Sequence, residues 1–406
     1  MIEPDEAAAR IVNALTPLAP VDVALGAADR LVAARDVVSP VSLPLWANSA
    51  MDGYACRAED IAGAPVELRV VDRVRAGTKP SRPIGPGEAT RIATGAPVPD
   101  GADSVVRVED TDAGEMRVLI RDARDARRNV RPAGEDVRAG DAIVRAGATL
   151  GPSQIAMLAS VGAAIVAVHR RPRVAIVATG DELVPLEQFD EVRRGNRIVS
   201  SNSYGLAAAV RSAGAEPVDL GIVRDDPVAL RAALERAAQC DLVITSAGVS
   251  VGDADYVKRV VGELDGAVDF WRVRMRPGSP LAFGRVRGTP WLGLPGNPVS
   301  SLVTFELFVR PAIRKLMGHH DAFARRVRVT VDEPVQLNAA LTHYFRVTLS
   351  SNGNGVPHAR LTGPQASNIL SSMARADALL IVPADRAQVA ADETLDAIPL
   401  REHSPW

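Results

Sequence analysis

Leu294-Pro295-Gly296-Asn297-Pro298-Val299-Ser300 is the stretch on which the fold turns. It follows a short apolar run, Trp291 to Leu294, and precedes a helical pattern through Leu302, Phe305, Leu307 and Ile313. That order reads as strand, tight loop, helix. Gly296 lets the backbone bend where a Cβ would clash, and two prolines stiffen the turn. Ser300 is placed to cap the helix, whose first N–H groups lack backbone partners and carry partial positive charge. A helix start of this kind accepts an anion, so the loop reads as a rigid cradle for an oxyanion.

Upstream the same logic repeats. Val174-Ala175-Ile176-Val177-Ala178 is a continuous apolar run of the buried parallel type. Ser201 or Asn202 can cap a helix from about Ser203 to Ala213, stopped by Gly214. A strand over Pro217 to Val223, a helix from Pro227 to about Ala238, a strand over Asp241 to Thr245 and a helix from Asp255 to Leu264 follow. The alternation predicts a parallel sheet covered on both faces, with ligands held beyond the carboxyl ends of its strands.

The flanking regions have other periods. Helical spacing at Ala8, Ile11, Val12 and Leu15 opens the chain. From Pro44 to about residue 138 the pattern is short and β-like, as in Val66–Val70 and Ser104–Val108, between dense Gly-Pro punctuation. A helical pattern returns near Ser153. Beyond His319, alternation at Val327, Val329 and Val331 and again at Phe345, Val347 and Leu349 predicts a strand-rich module or small barrel, with a turn at Gly353-Asn354-Gly355.

With 406 residues, several domains are expected. A formal charge of −2 gives no reason to expect nucleic acid or an anionic membrane as partner. Lys79, Lys258 and Lys315 are the only lysines, a coding bias toward arginine. Two cysteines far apart, Cys56 and Cys240, exclude a disulfide framework or structural zinc site. The longest largely apolar run, Leu158 to Val168, is too short to span a bilayer, and no apolar leader follows Met1. The expected location is the cytoplasm.

Chemistry collects at three strand ends: Thr179-Gly180-Asp181-Glu182-Leu183, the stretch Ser246 to Asp255 containing Gly248 and Ser250, and the 294–300 loop. If the sheet is wound as expected, all three open on one crevice. Glycine-rich backbone, the helix start at Ser300 and Arg276 offer donors to a tetrahedral oxyanion. Asp181, Glu182, Asp225, Asp226, Asp253 and Asp255 only accept when ionised. Carboxylates beside an anion cradle make sense with a bridging hard cation, and Mg²⁺ is the simplest. Taken singly, Asp and Ser at strand-to-helix junctions are ordinary caps, and Asp225-Asp226-Pro227 has that form.

Further motifs lie in the β-like region: Ser49-Ala50-Met51-Asp52-Gly53-Tyr54-Ala55, Thr94-Gly95-Ala96-Pro97-Val98-Pro99 and Gly134-Glu135-Asp136. Together with Thr179–Leu183, Gly248-Val249-Ser250-Val251-Gly252 and Leu294–Ser300, in this order, the chain resembles the molybdopterin molybdenumtransferase family, to which the E domain of gephyrin is related. The resemblance covers roughly residues 40 to 385.

It implies a multidomain α/β plus β protein: an elongated helical segment (1–40 and 139–170), a β-rich domain (41–138), a three-layer molybdopterin-binding α/β domain (171–318) and a C-terminal β-barrel-like domain (319–406). It also implies a homodimer, with an active site combining the α/β domain of one subunit and the β-rich domain of the other. The implied reaction takes molybdate and adenylylated molybdopterin, supplied by a molybdopterin adenylyltransferase, and releases AMP with Mg²⁺ assistance. By motif, Asp52, Thr94, Asp136, Glu182, Asp225 and Asp255 match functional positions. Gly248, Ser250, Arg276, Ser279, Pro298 and Ser300 fall on the oxyanion side, and Asp181, Glu182 and Asp255 on the metal side.

Two departures stand out. Arg276-Pro277-Gly278-Ser279-Pro280 replaces a usual Lys-Pro-Gly-Lys-Pro, so Ser279 removes a cation. Ala247 replaces a common glycine. They leave open a paralogue for another oxyanion such as tungstate. Two further functions fit the same fold: a non-catalytic dimeric scaffold and the preceding adenylylation step. The acidic loops speak against the first and the additional terminal regions against the second.

Overall fold

The computed structural model describes residues 1–247, 254–264, 266–337, 340–351 and 355–400, without the side chains of 254–256 and 258. The chain forms two compact units: Met1–Ala34 with Ala146–Leu150 and Val166–Trp406, and Arg35–Arg145 with Gly151–Ile165.

The first unit is built on a six-stranded sheet. Its elements are β1 (Arg173–Thr179), α1 (Ser201–Ser212), β2 (Glu216–Val223), α2 (Pro227–Ala237), β3 (Leu242–Ser246), α3 (Ala254–Glu263), β4 (Val268–Arg272), β5 (Pro280–Val286), β6 (Thr289–Leu294) and α4 (Pro298–Thr304). The order is β2-β1-β3-β6-β5-β4. The first four strands run parallel, and β5 and β4 add an antiparallel edge. The expected parallel core is present.

Alternation explains the layers. Val174, Ile176, Leu242, Ile244, Leu292 and Leu294 pack with Leu206 and Val210 of α1 and Val299 and Val303 of α4. Ala175, Val177, Val243 and Trp291 face the other way, onto Leu230 and Leu234 of α2 and Val257 and Val261 of α3. Successive strand residues point to opposite faces, so a run apolar at every position must be buried on both. The helix Pro4–Asn13 adds Ala7, Ala8 and Ile11 to the first of these cores.

The single helix expected after the cradle is broken into α4, a π-helical turn at Phe305–Val309, and α5 (Arg310–Leu316). Pro311 has no N–H to donate, and its ring crowds the preceding turn; widening that turn accommodates it.

Downstream, five strands close on themselves. Thr342–Ser350 pairs with His358–Leu361, which pairs with Val327–Val331, then Thr394–Pro399, Ala378–Val382 and Thr342–Ser350 again. Val329, Val331, Val347, Leu380 and Val382 fill this barrel. The period-two reading therefore gives a small closed barrel; of its turn at 353–355, residues 353 and 354 lie outside the described residues.

The second unit carries a five-stranded sheet in the order Ser104–Arg107, Gly53–Cys56, Glu88–Ile92, Val66–Val74, Arg117–Ile120. Gly53 is required there, because a Cβ would stand 1.9 Å from the Val106 carbonyl oxygen. Among the described residues, no helix is long and apolar enough to cross a membrane.

Candidate active site

A cavity of about 860 Å³ lies at the carboxyl ends of the parallel strands. Thr179 ends β1, Ser246 ends β3, and the 295–298 turn follows β6; all of them line it. The chain leaves β1 toward β2 on one side and returns to β3 on the other. The cavity thus opens at the switch point of the sheet, where diverging loops leave a crevice.

In the cradle, Asn297 rather than Ser300 occupies the N-cap position, with Pro298 first in the helix. Pro298 fits because its missing N–H is one the first turn leaves unpaired anyway. Ser300 sits inside α4 and is buried, yet it lines the cavity. The N–H of Val299 is already used: it donates to the Ser367 carbonyl at 3.2 Å. Asn297 Nδ2 donates to Ser367 Oγ at 3.1 Å. The helix start is therefore tied to the barrel.

Arg276 lies on the short strand Met275–Arg276, which runs parallel to Thr342–Ser350. Arg276, Pro277, Gly278 and Ser279 all line the cavity. Gly278 has φ +98°, and a Cβ there would lie 2.5 Å from the Thr304 γ-methyl. Ser279 faces the cavity, but its hydroxyl donates to the Val273 carbonyl at 2.9 Å. Its proton is committed, and Arg276 is the only cationic side chain among the described lining residues. His343, beside Arg276, adds no charge at neutral pH, since burial pushes its imidazole below the ordinary range.

Glu182 lines the cavity from the β1 side. Gly180, at φ +144°, leaves the space it needs: a Cβ would approach Glu182 Oε2 to 2.6 Å. Asp181 is exposed beside it, and Asp181 Oδ1 accepts the Asp225 N–H at 3.4 Å. Asp226 is the ordinary helix cap its sequence suggests, accepting the Ala229 N–H at 2.7 Å. Gly248, Ser250 and Asp253 lie outside the described residues, as does the side chain of Asp255. Among the described residues, no three His, Cys, Asp or Glu side chains group as metal ligands. Two adjacent carboxylates are nonetheless the donor type a hard cation takes.

Asp52, Thr94 and Asp136 belong to the second unit. Asp52 Oδ1 accepts the Thr94 N–H at 2.8 Å, which joins two motifs 42 positions apart in the chain. Both residues are exposed. Asp136, also exposed, is anchored through its N–H to the Leu43 carbonyl at 3.0 Å.

Several lining residues were missed in the sequence. Ser200, not Ser201 or Asn202, is the N-cap residue of α1, which frees Asn202 for the cavity. Its Nδ2 donates to Ser246 Oγ and to the Gly296 carbonyl, each at 2.8 Å. Its serine-rich surroundings carried only a capping signal.

The barrel turn Gln365–Asn368 also lines the cavity and gave no signal at all. Arg346, 1% exposed, fixes this turn. Its Nη2 donates to the Ala366 carbonyl at 3.3 Å and its Nε to Ser372 Oγ at 3.2 Å. Its backbone N–H donates to Gln365 Oε1 at 2.9 Å. Burial pushes the guanidinium down to about 10, which leaves it charged at neutral pH.

A hydroxyl- and amide-rich cavity at an α/β switch point, with one arginine and a carboxylate in its described lining, has the form of an enzyme's small-molecule site. Comparison with known proteins sharpens that class. Residues 2–162 match the MoeA N-terminal region (domain I and II), 175–315 the probable molybdopterin binding domain, and 328–400 the MoeA C-terminal region (domain IV). Molybdopterin molybdenumtransferase 2 of Mycobacterium tuberculosis is 42% identical over 390 residues, 93% of this chain and 94% of that protein. Molybdopterin molybdenumtransferase of Nostoc is 45% identical over 304 residues, 73% and 69% of the two chains. The crystal structure of the molybdopterin biosynthesis MoeA protein of Pyrococcus horikoshii superposes with a TM-score of 0.82 at 29% identity, covering 99% of both chains. The chain belongs to the molybdopterin molybdenumtransferase family, transferases of molybdenum-cofactor biosynthesis.

Proposed function

We propose that this protein inserts molybdate into adenylylated molybdopterin and releases AMP. The observation that carries the reading is the meeting of Glu182, Arg276, Pro298 and Ser300 around one cavity at the sheet's switch point. The chain's own groups divide the work. Arg276 offers a planar fork of N–H donors to oxyanion or phosphate. Ser300 presents a hydroxyl from a buried, rigid helix turn. The glycine-supported turns at 278 and 296 bring the wall close to the ligand.

Asp181, Glu182 and Asp255 would hold Mg²⁺, which when bound neutralises charge on the pyrophosphate and on the departing AMP. The accompanying picture is a cytoplasmic homodimer fed by a molybdopterin adenylyltransferase. In it, Asp52, Thr94, Asp136 and Asp225 serve catalysis, and the backbone at Gly248 and Ser250 serves oxyanion binding beside Arg276 and Pro298, joined by Ser279 once its hydroxyl turns from the Val273 carbonyl to the ligand.

The test is molybdate-dependent AMP release from adenylylated molybdopterin, repeated with Asp52→Ala. The expected result is release by the wild type and none by the variant, with its melting temperature and oligomeric state unchanged. A wild type that binds the substrate but releases no AMP would sink the reading.

One observation bears on affinity. With the Ser279 proton committed to Val273 and one arginine in the described lining, the cavity is poor in positive charge for a doubly charged oxyanion. Tungstate has the same charge and tetrahedral shape, so the shortage weakens both dianions alike, and parallel titration of molybdate and tungstate shows which of them the site prefers.

A further inference from the structure

Asn202 and Ser246 form a linked pair that the motif reading leaves without a role. Ser246 ends β3 at the centre of the sheet, in register with Ala178 of β1 and Leu294 of β6. It is 2% exposed and lines the cavity. Asn202 comes from the first turn of α1 and lines the same cavity.

The orientation of the Asn202 amide is fixed by chemistry. The Gly296 carbonyl can only accept, so the NH₂ end of the side chain must face it. The second proton of that NH₂ goes to Ser246 Oγ, which is thereby the acceptor. A hydroxyl that accepts there must send its own proton elsewhere. No described residue takes it: Thr179 Oγ1 donates to the Ser246 carbonyl, at 3.5 Å. On the cavity wall that proton is left to meet whatever occupies the cavity, and a bound acceptor can take it in place of water.

We propose that Asn202 is a positioning residue that holds Ser246 as a hydrogen-bond donor to an oxyanion oxygen of the bound substrate. The same amide, through Gly296, ties that donor to the cradle, so donor and cradle are set against each other by one side chain. The inference rests on the oxyanion reading of the cavity and assigns it a further donor on the sheet itself.

The test measures binding of inorganic molybdate and of AMP to the full chain by calorimetry. Ser246→Ala removes a single oxygen atom and is expected to weaken at least one probe about tenfold. Ser246→Thr keeps the hydroxyl and is expected to stay within about threefold of wild type. Asn202→Ala is expected to weaken the same probe, but to add less than about threefold on top of Ser246→Ala, because its effect runs through that hydroxyl. Melting temperatures of all variants check that the fold survives.

Unchanged affinity for both probes in Ser246→Ala overturns the proposal. So does an Asn202→Ala effect of equal size with and without Ser246. A wild type that binds neither probe breaks the functional reading instead, so the two failures are distinguishable.

Discussion

The two walls of the cavity are held by supports at very different distances along the chain. One wall, Arg276–Pro280 with Pro295–Ser300, is made by turns whose geometry is set by neighbouring glycines and prolines. The other, Gln365–Asn368, is held by Arg346 from a strand some twenty positions away. The first wall is steric and local. The second is a network of hydrogen bonds around a buried charge, and it is joined to the first through Ser367, which takes bonds from Val299 and Asn297.

The difference can be broken most severely at Arg346. Arg346→Ala would leave a cavity and take one donor each from Ala366 O and Ser372 Oγ, which keep only their bonds to the Ile369 N–H and the Ile369 carbonyl, at an expected cost of about 4 kcal/mol. Arg346→Met fills most of the volume without a charge and is expected to cost about 1 kcal/mol or less, since removing a buried charge offsets the lost bonds. Urea unfolding of both variants checks this, and equal losses would mean that the charge itself stabilises the turn.

On the steric wall, the matching change is Gly278→Ala. Its backbone lies in the left-handed region, and its Cβ would strike Thr304, whose hydroxyl is pinned to the Ser300 and Ser301 carbonyls. The expected destabilisation is about 3 kcal/mol, read as a lower denaturation midpoint.

A smaller effect is expected from restoring a cation. Ser279→Lys should strengthen molybdate binding by about 1–2 kcal/mol, the scale of a charge-assisted hydrogen bond. Equal affinities in a direct titration would show that Arg276 alone meets the charge requirement.

Smallest is Ala247→Gly. Ala247 has φ +75°, and its Cβ sits 3.1 Å from the place a Cβ on Gly296 would occupy. Glycine removes the left-handed strain but adds freedom to the unfolded chain, so a net gain of about 0.5–1 kcal/mol is expected. A lower melting temperature for the variant would contradict it.

Legibility followed the range of the forces. The strands Arg173–Thr179 and Leu242–Ser246 were readable because residues buried on both faces must be apolar at every position. The cradle was readable from its glycine and prolines. Its cap was misassigned to Ser300, because an N-cap is defined by backbone angles that Asn297 adopts and Ser300 does not. Asn202 was hidden by its composition: a serine- and asparagine-rich helix start has the same appearance whether its side chains cap the helix or reach across a cavity. Asp52 and Thr94 were found as separate turns, and only folding joins the carboxylate of one to the N–H of the other.

The sequence by itself determined the layered α/β core, the barrel and the positions of the acidic and glycine-rich turns. These rest on periodicity and local backbone preference, which act within a few residues. Tertiary structure alone decided that a barrel turn walls the cavity, that Ser279 turns its proton to Val273, and that Asn202 holds Ser246. Each depends on a hydrogen bond whose partner is chosen by distance in space, and no local pattern records that choice.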